Sequence, residues 1–128
     1  MGSEMCIRDR FFINNFIYEM ELIIDGRIIN LKGFLDTGNA LREPITNLPC
    51  ILIDKEYLKT FNLNEKEKFH INYKTIGNHG NIEGFIFEKV RIKKDKESWI
   101  EIKAIICKSE VKLSKENEFN ALLSRGVI

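Results

Sequence analysis

The chain has 128 residues, 44% hydrophobic and 30% charged, with 20 basic against 19 acidic side chains and a net charge of +1. That length fits one domain with a modest core. The balance excludes a disordered chain, and the absence of a clustered basic surplus argues against a nucleic-acid binder.

Met1 to Arg10 has neither strand alternation nor a helical stripe. It reads as a non-native prefix, an adapter-like scar, and is set aside from fold reasoning. Residues 11–128 are then the domain, expected to be the C-terminal fragment of a longer protein.

Tyr18, Met20, Leu22 and Ile24 alternate with Glu19, Glu21 and Ile23, the period of a strand with one apolar face. Asp25-Gly26 is a strong hairpin signal, and Ile28 to Leu31 runs back as a second strand. Phe34-Leu35 leads into Asp36. From there to Pro49 the chain is rich in turn formers. Cys50 to Ile53 reads as a short buried strand, and Asp54 as the cap of a short helix through Tyr57-Leu58.

Phe69–Thr75 and Phe85–Ile92 read as strands on either side of a glycine-rich hairpin tip, Gly77 to Gly84. His79 sits there as an exposed residue. Trp99 to Cys107 is a further strand, with Trp99 packing at its edge. Ser114 is placed to cap a second helix, with Phe119, Leu122 and Leu123 at helical spacing. Six or seven strands and two short helices, without regular alternation, predict a mostly antiparallel β barrel or sandwich.

No apolar run approaches the roughly 20 residues that span a bilayer. Cys6, Cys50 and Cys107 include no Cys-x-x-Cys and no metal-ligand spacing; Cys50 and Cys107 read as buried reduced thiols. No metal or cofactor is expected.

The chemistry points to Asp36-Thr37-Gly38-Asn39. An acid at the end of an apolar strand can be held rigidly at a cleft, and a glycine two residues on lets a backbone N–H turn back onto the carboxylate. Thr37 supplies a hydroxyl, and Asn39 favours a local left-handed turn. Aspartic peptide hydrolysis needs two carboxyl groups sharing a proton, yet the motif occurs once. A two-fold homodimer would supply the second copy. The tripeptide alone also suits an ordinary turn.

Gly33-Phe34-Leu35-Asp36-Thr37-Gly38-Asn39-Ala40-Leu41-Arg42-Glu43-Pro44-Ile45-Thr46, followed by Leu48-Pro49 and an apolar strand, resembles the sporulation sigma-E factor processing peptidase family, stage II sporulation protein GA. Ile71 to Gly77 and the segments Lys112–Ser114 and Phe119–Leu123 match less specifically. Asn72, Cys107 and Ser124-Arg125-Gly126 depart from the family pattern; Cys107 stands where a glycine is expected below the active-site loop.

The resemblance implies a retroviral-protease-like closed β barrel that dimerises. Asp36 is then catalytic, Thr37, Gly38 and Asn39 support it, and Tyr73 and Gly77 lie in a flap. It further implies an upstream membrane domain and a place on the cytoplasmic face of the mother-cell membrane. The implied partners are a pro-sigma-factor substrate and a signalling protein. A non-catalytic interaction module on the same fold, with a structural Asp36, is the alternative. An unrelated β domain with a chance Asp-Thr-Gly is the third reading.

Overall fold

The computed structural model describes residues 16–36, 38, 40–63, 66–75, 78–114 and 118–127, with the backbone alone at 73–75 and 78–79. Strands β1 (Ile17–Ile24), β2 (Arg27–Asp36) and β3 (Cys50–Asp54) lead to helix α1 (Lys55–Leu58). Next come β4 (Phe69–Thr75), β5 (Asn78–Phe85), β6 (Lys89–Lys93), β7 (Ile100–Ile102), β8 (Ile105–Ser109) and β9 (Ala121–Ser124). A 3-10 turn follows at Arg125–Val127.

The strands form one nine-stranded sheet in the order β4-β5-β8-β3-β9-β2-β1-β6-β7. The order is open, with β4 and β7 at its edges, so the closed barrel expected from the sequence is not formed by this pairing. Strand number also exceeds the expectation. The run expected as Phe85–Ile92 divides into the end of β5 and β6, and Trp99–Cys107 divides into β7 and β8.

β1 and β2 form the expected hairpin, in register from Ile24↔Arg27 to Ile17↔Phe34. Asp25 and Gly26 take φ of 52° and 75°, the positive values that a two-residue type I′ turn requires. Met20, Leu22 and Ile24 turn inward from β1, as their alternation predicts, and pack with Ile51, Ile53, Val90, Ile92, Ile106 and Leu123 in the main core. Full burial of each such side chain contributes about 1.5–3 kcal/mol.

A second apolar cluster joins Cys50, Ile71, Ile105 and Cys107, with Leu41, Leu48, Leu52, Phe69 and Ile82 packed against it. This cluster attaches the β4–β5 hairpin to the body of the sheet. The hairpin also joins it through the register pairs Gly84↔Cys107 and Phe85↔Ile106 and through Lys108, which reaches Glu83 at 3.6 Å.

Two expected helical features differ. Asp54 precedes α1, but its side chain makes no cap; its Oδ1 instead accepts the Leu113 N–H at 2.8 Å. The helix expected after Ser114 gives way to β9 at Ala121–Ser124. Leu122 and Leu123 have helical spacing from Phe119, but the unpaired sides of β2 and β3 offer this segment two ladders at once, and tertiary pairing overrides local pattern. Ser114 Oγ does accept the Glu118 N–H at 3.1 Å.

Candidate active site

β2 delivers Asp36. Its odd-numbered residues Leu31 and Gly33 face the core, while Lys32 is exposed and Phe34 and Asp36 are half-buried. Gly33 lies so close to the core that a Cβ there would meet Met20 Sδ at 2.8 Å. On the outer face Phe34 stacks on Phe119 with centroids 5.1 Å apart. The Asp36 carboxylate is thus presented at the open end of a strand whose other face is anchored.

The neighbour of β2 at this point is β9, running parallel, with Leu35↔Leu123 and Asp36↔Ser124 in register. Asn120 latches the start of β9. It donates its N–H to Lys32 O and accepts the Lys32 N–H on Oδ1, each at 2.9 Å, while its carbonyl accepts from Asp54 N–H at 3.1 Å. Ser124 is fully buried, and its Oγ accepts the Gly126 N–H at 3.2 Å.

Beyond the strand, the Gly38 N–H donates to Asp36 Oδ1 at 3.1 Å. This is the turn-back that the Asp-Thr-Gly spacing predicts. The loop ends where Leu41 O accepts the Cys50 N–H at 3.0 Å and Arg42 bridges Pro49.

A tight hairpin then runs from Glu43 to Leu48. The Glu43 N–H donates to Leu48 O at 2.9 Å, and Glu43 O accepts from Asn47 N–H at 2.8 Å, with Asn47 at a φ of 60°. The Glu43 side chain is only 2% exposed and accepts the N–H groups of Ile45 at 2.9 Å and Thr46 at 2.6 Å. Burial pushes its carboxyl upward, but these donations and the Thr46 side chain outweigh it and hold Glu43 below the usual carboxylate range. Ile45, at the hairpin tip, is 85% exposed.

Thr37, Asn39 and Gly77 lie outside the described residues. Tyr73 is in β4, its backbone paired with Gly80, and its side chain also lies outside the description. Four strands stand between β4 and β2 in the sheet order, so one chain's sheet does not pair the β4–β5 hairpin with the Asp36 strand. The glycine-rich segment is not all tip, since Asn78–Phe85 is strand and pairs back to Phe69. Two surface clefts, one beside Lys55–Tyr57 and Ser109–Lys112, the other between Leu58–Leu63 and Phe85, are not lined by Asp36.

Cys107 belongs to the cluster against which Leu41, at the far end of the Asp36 loop, packs. It pairs with Leu52 and Gly84, and the strand in register with Asp36 is β9. The close approach needing a glycine is made by Gly84, whose added Cβ would meet Ile105 Cγ2 at 2.5 Å. Cys50 and Cys107 are buried free thiols, as expected. The Cys107 thiol is pushed up by its interaction with Cys50, by burial and by the nearby Glu43 charge. Sequence reasoning overlooked Glu43 and the latch at Asn120. A Glu-Pro-Ile-Thr turn with an acid three residues before a threonine was the available signal for the first.

Fold and site define a mostly β, single-sheet protein that carries one Asp-Thr-Gly turn at a strand end. The chain belongs to the sporulation factor SpoIIGA family (Peptidase U4), whose family model matches residues 3–127. It is 41% identical over 125 residues to a Clostridium acetobutylicum protein named "Probable sporulation sigma-E factor-processing peptidase". The match covers 95% of this chain and 46% of that relative, so the chain spans less than half of the relative's length. Among the described residues no helix is long and apolar enough to cross a membrane.

Proposed function

We propose that this chain is the protease domain of an aspartic endopeptidase that removes the pro-sequence of a sporulation sigma factor, with Asp36 of each copy in a homodimer forming the catalytic dyad. The observation that carries this reading is the placement of Asp36, half-buried at a strand end with the Gly38 N–H on its carboxylate. Membership of a peptidase family and the relative's name supply the substrate class.

One carboxylate takes a proton from water as the oxygen attacks the scissile carbonyl, and the protonated partner donates to the carbonyl oxygen. Two carboxyls about 3 Å apart cannot both ionise easily, so one proton stays shared between them. A single chain brings one Asp-Thr-Gly, and an isologous two-fold contact brings the other. In this retropepsin-like dimer Thr37, Gly38 and Asn39 support the carboxylate. Tyr73 and Gly77 belong to the flap, an assignment that rests on the family resemblance. On the same resemblance, upstream sequence anchors the protein to the cytoplasmic face of the mother-cell membrane, and a signalling protein activates it.

The test is cleavage of the unprocessed sigma-E factor by the full-length protein. Asp36→Asn should abolish cleavage, since an amide cannot accept and return the proton. A doubly tagged mixed dimer of parent and Asp36→Ala chains should be equally inactive. Near-parental cleavage by that mixed dimer would overturn the dyad.

A further inference from the structure

We propose that Arg42 is a positioning residue for Asp36, tying the far end of the catalytic loop to the turn that follows the strand beside Asp36. The proposal rests on the catalytic reading of Asp36 above. Asp36 stands at one end of its loop, in register with Ser124. Two residues on, Gly126 donates its N–H to Ser124 Oγ. The loop's other end is Leu41-Arg42, bonded to Cys50 and bridged to Pro49. The far end of the loop and the turn after β9 meet at the Arg42 guanidinium. Its Nη1 donates to Asn47 O at 2.7 Å, while Nη2 lies against Gly126.

Gly126 explains why the contact is possible. A Cβ there would lie 2.6 Å from Arg42 Nη2, 3.1 Å from its Cζ and 3.2 Å from Pro49 Cβ. Its φ is not in the left-handed region, where Gly26 alone among the described glycines lies, so backbone conformation does not demand glycine at 126. The space does. A planar guanidinium can lie flat on a bare backbone while one nitrogen donates to a carbonyl, and an ammonium cannot reproduce both. Glu43, the next residue, fixes the hairpin that supplies the Asn47 carbonyl.

A dyad requires its carboxylates to be held within about 0.5 Å of productive geometry, and a misplacement of about 1 Å can cost about a hundredfold in rate. A strap between the far end of the Asp36 loop and the turn after β9 serves that requirement. An Arg42 that only capped a surface turn would leave the chemical step untouched.

Steady-state cleavage of the unprocessed sigma-E factor by the full-length protein separates the two. Arg42→Ala should lower kcat at least about tenfold, with KM within about twofold, and Arg42→Lys should recover part of the loss. Gly126→Ala displaces the guanidinium without removing it and should lower kcat in the same way. The double variant should be no more than about twofold worse than either single one, because both break one contact. Thermal midpoints measured alongside identify a folding loss, and if Arg42→Ala fails to fold, Gly126→Ala decides alone. A kcat within about twofold of the parent in Gly126→Ala or in folded Arg42→Ala, or a loss confined to KM, overturns the proposal. Cleavage surviving in Asp36→Asn would instead overturn the catalytic reading beneath it, so the two failures are distinct.

Discussion

Asp36 and Ser124 stand opposite each other in a parallel ladder, the aspartate half-buried and the serine wholly enclosed. The serine hydroxyl is committed to the Gly126 N–H. Ser124→Ala removes the acceptor without adding bulk, leaving that N–H without its partner. Stability should fall by about 1–3 kcal/mol, and Ser124→Thr, which keeps the hydroxyl, should fall less if the added methyl is accommodated. Urea denaturation midpoints at constant slope measure both.

Gly84 and Gly33 give a graded pair. An alanine at 84 drives its Cβ to 2.5 Å from the branched Cγ2 of Ile105 and 3.0 Å from Ile71, side chains without room to yield. Gly84→Ala should destabilise by about 1–3 kcal/mol. At Gly33 the nearest atom is the Met20 sulfur, at 2.8 Å on a flexible side chain. Gly33→Ala should therefore destabilise less, and the reverse order in denaturation would contradict the packing described.

Glu43 predicts a pH dependence. Its folded carboxyl titrates below the ordinary 4.5, so its contribution is fully present above that value and is lost as pH falls through the lowered one. Glu43→Gln retains one acceptor but turns an NH2 toward the other backbone N–H. Its thermal midpoint should lie below that of the parent at pH 7, and the gap should narrow at acid pH. A gap that widens on acidification would refute the assignment.

The thiols provide a fourth test. Cys50 and Cys107 are both fully enclosed, so neither should react as folded protein. In a Cys6→Ser background, a chromogenic thiol reagent should label no cysteine under native conditions and two in denaturant. Rapid native labelling would show that the second apolar cluster opens.

Much of this was legible in the residues. The β1–β2 hairpin followed from alternation and Asp25-Gly26, because local chirality fixes that turn. The Gly38 N–H on Asp36 followed from spacing alone, and the two buried cysteines from their apolar neighbours. The fate of Ala121–Ser124 did not follow. Its side chains fit a helical stripe equally well, and only the vacant sides of β2 and β3 make it a strand. Glu43 was equally hidden, since a lone acid in a polar loop reads as solvated until the backbone folds around it. The open order of the sheet depends on long-range pairing that no local pattern encodes.

The place of β9 also sets a timetable for synthesis. The strand that flanks Asp36, and lies against β3 as well, comes from residues 121–124, so the end of β2 acquires this neighbour only when nearly all of this sequence has left the ribosome. A nascent chain halted before Ala121 carries the Asp-Thr-Gly turn on an uncovered β2 edge. Such a chain has the Asp36 carboxylate without the strand that pairs beside it, so the setting of that carboxylate is completed only late in synthesis.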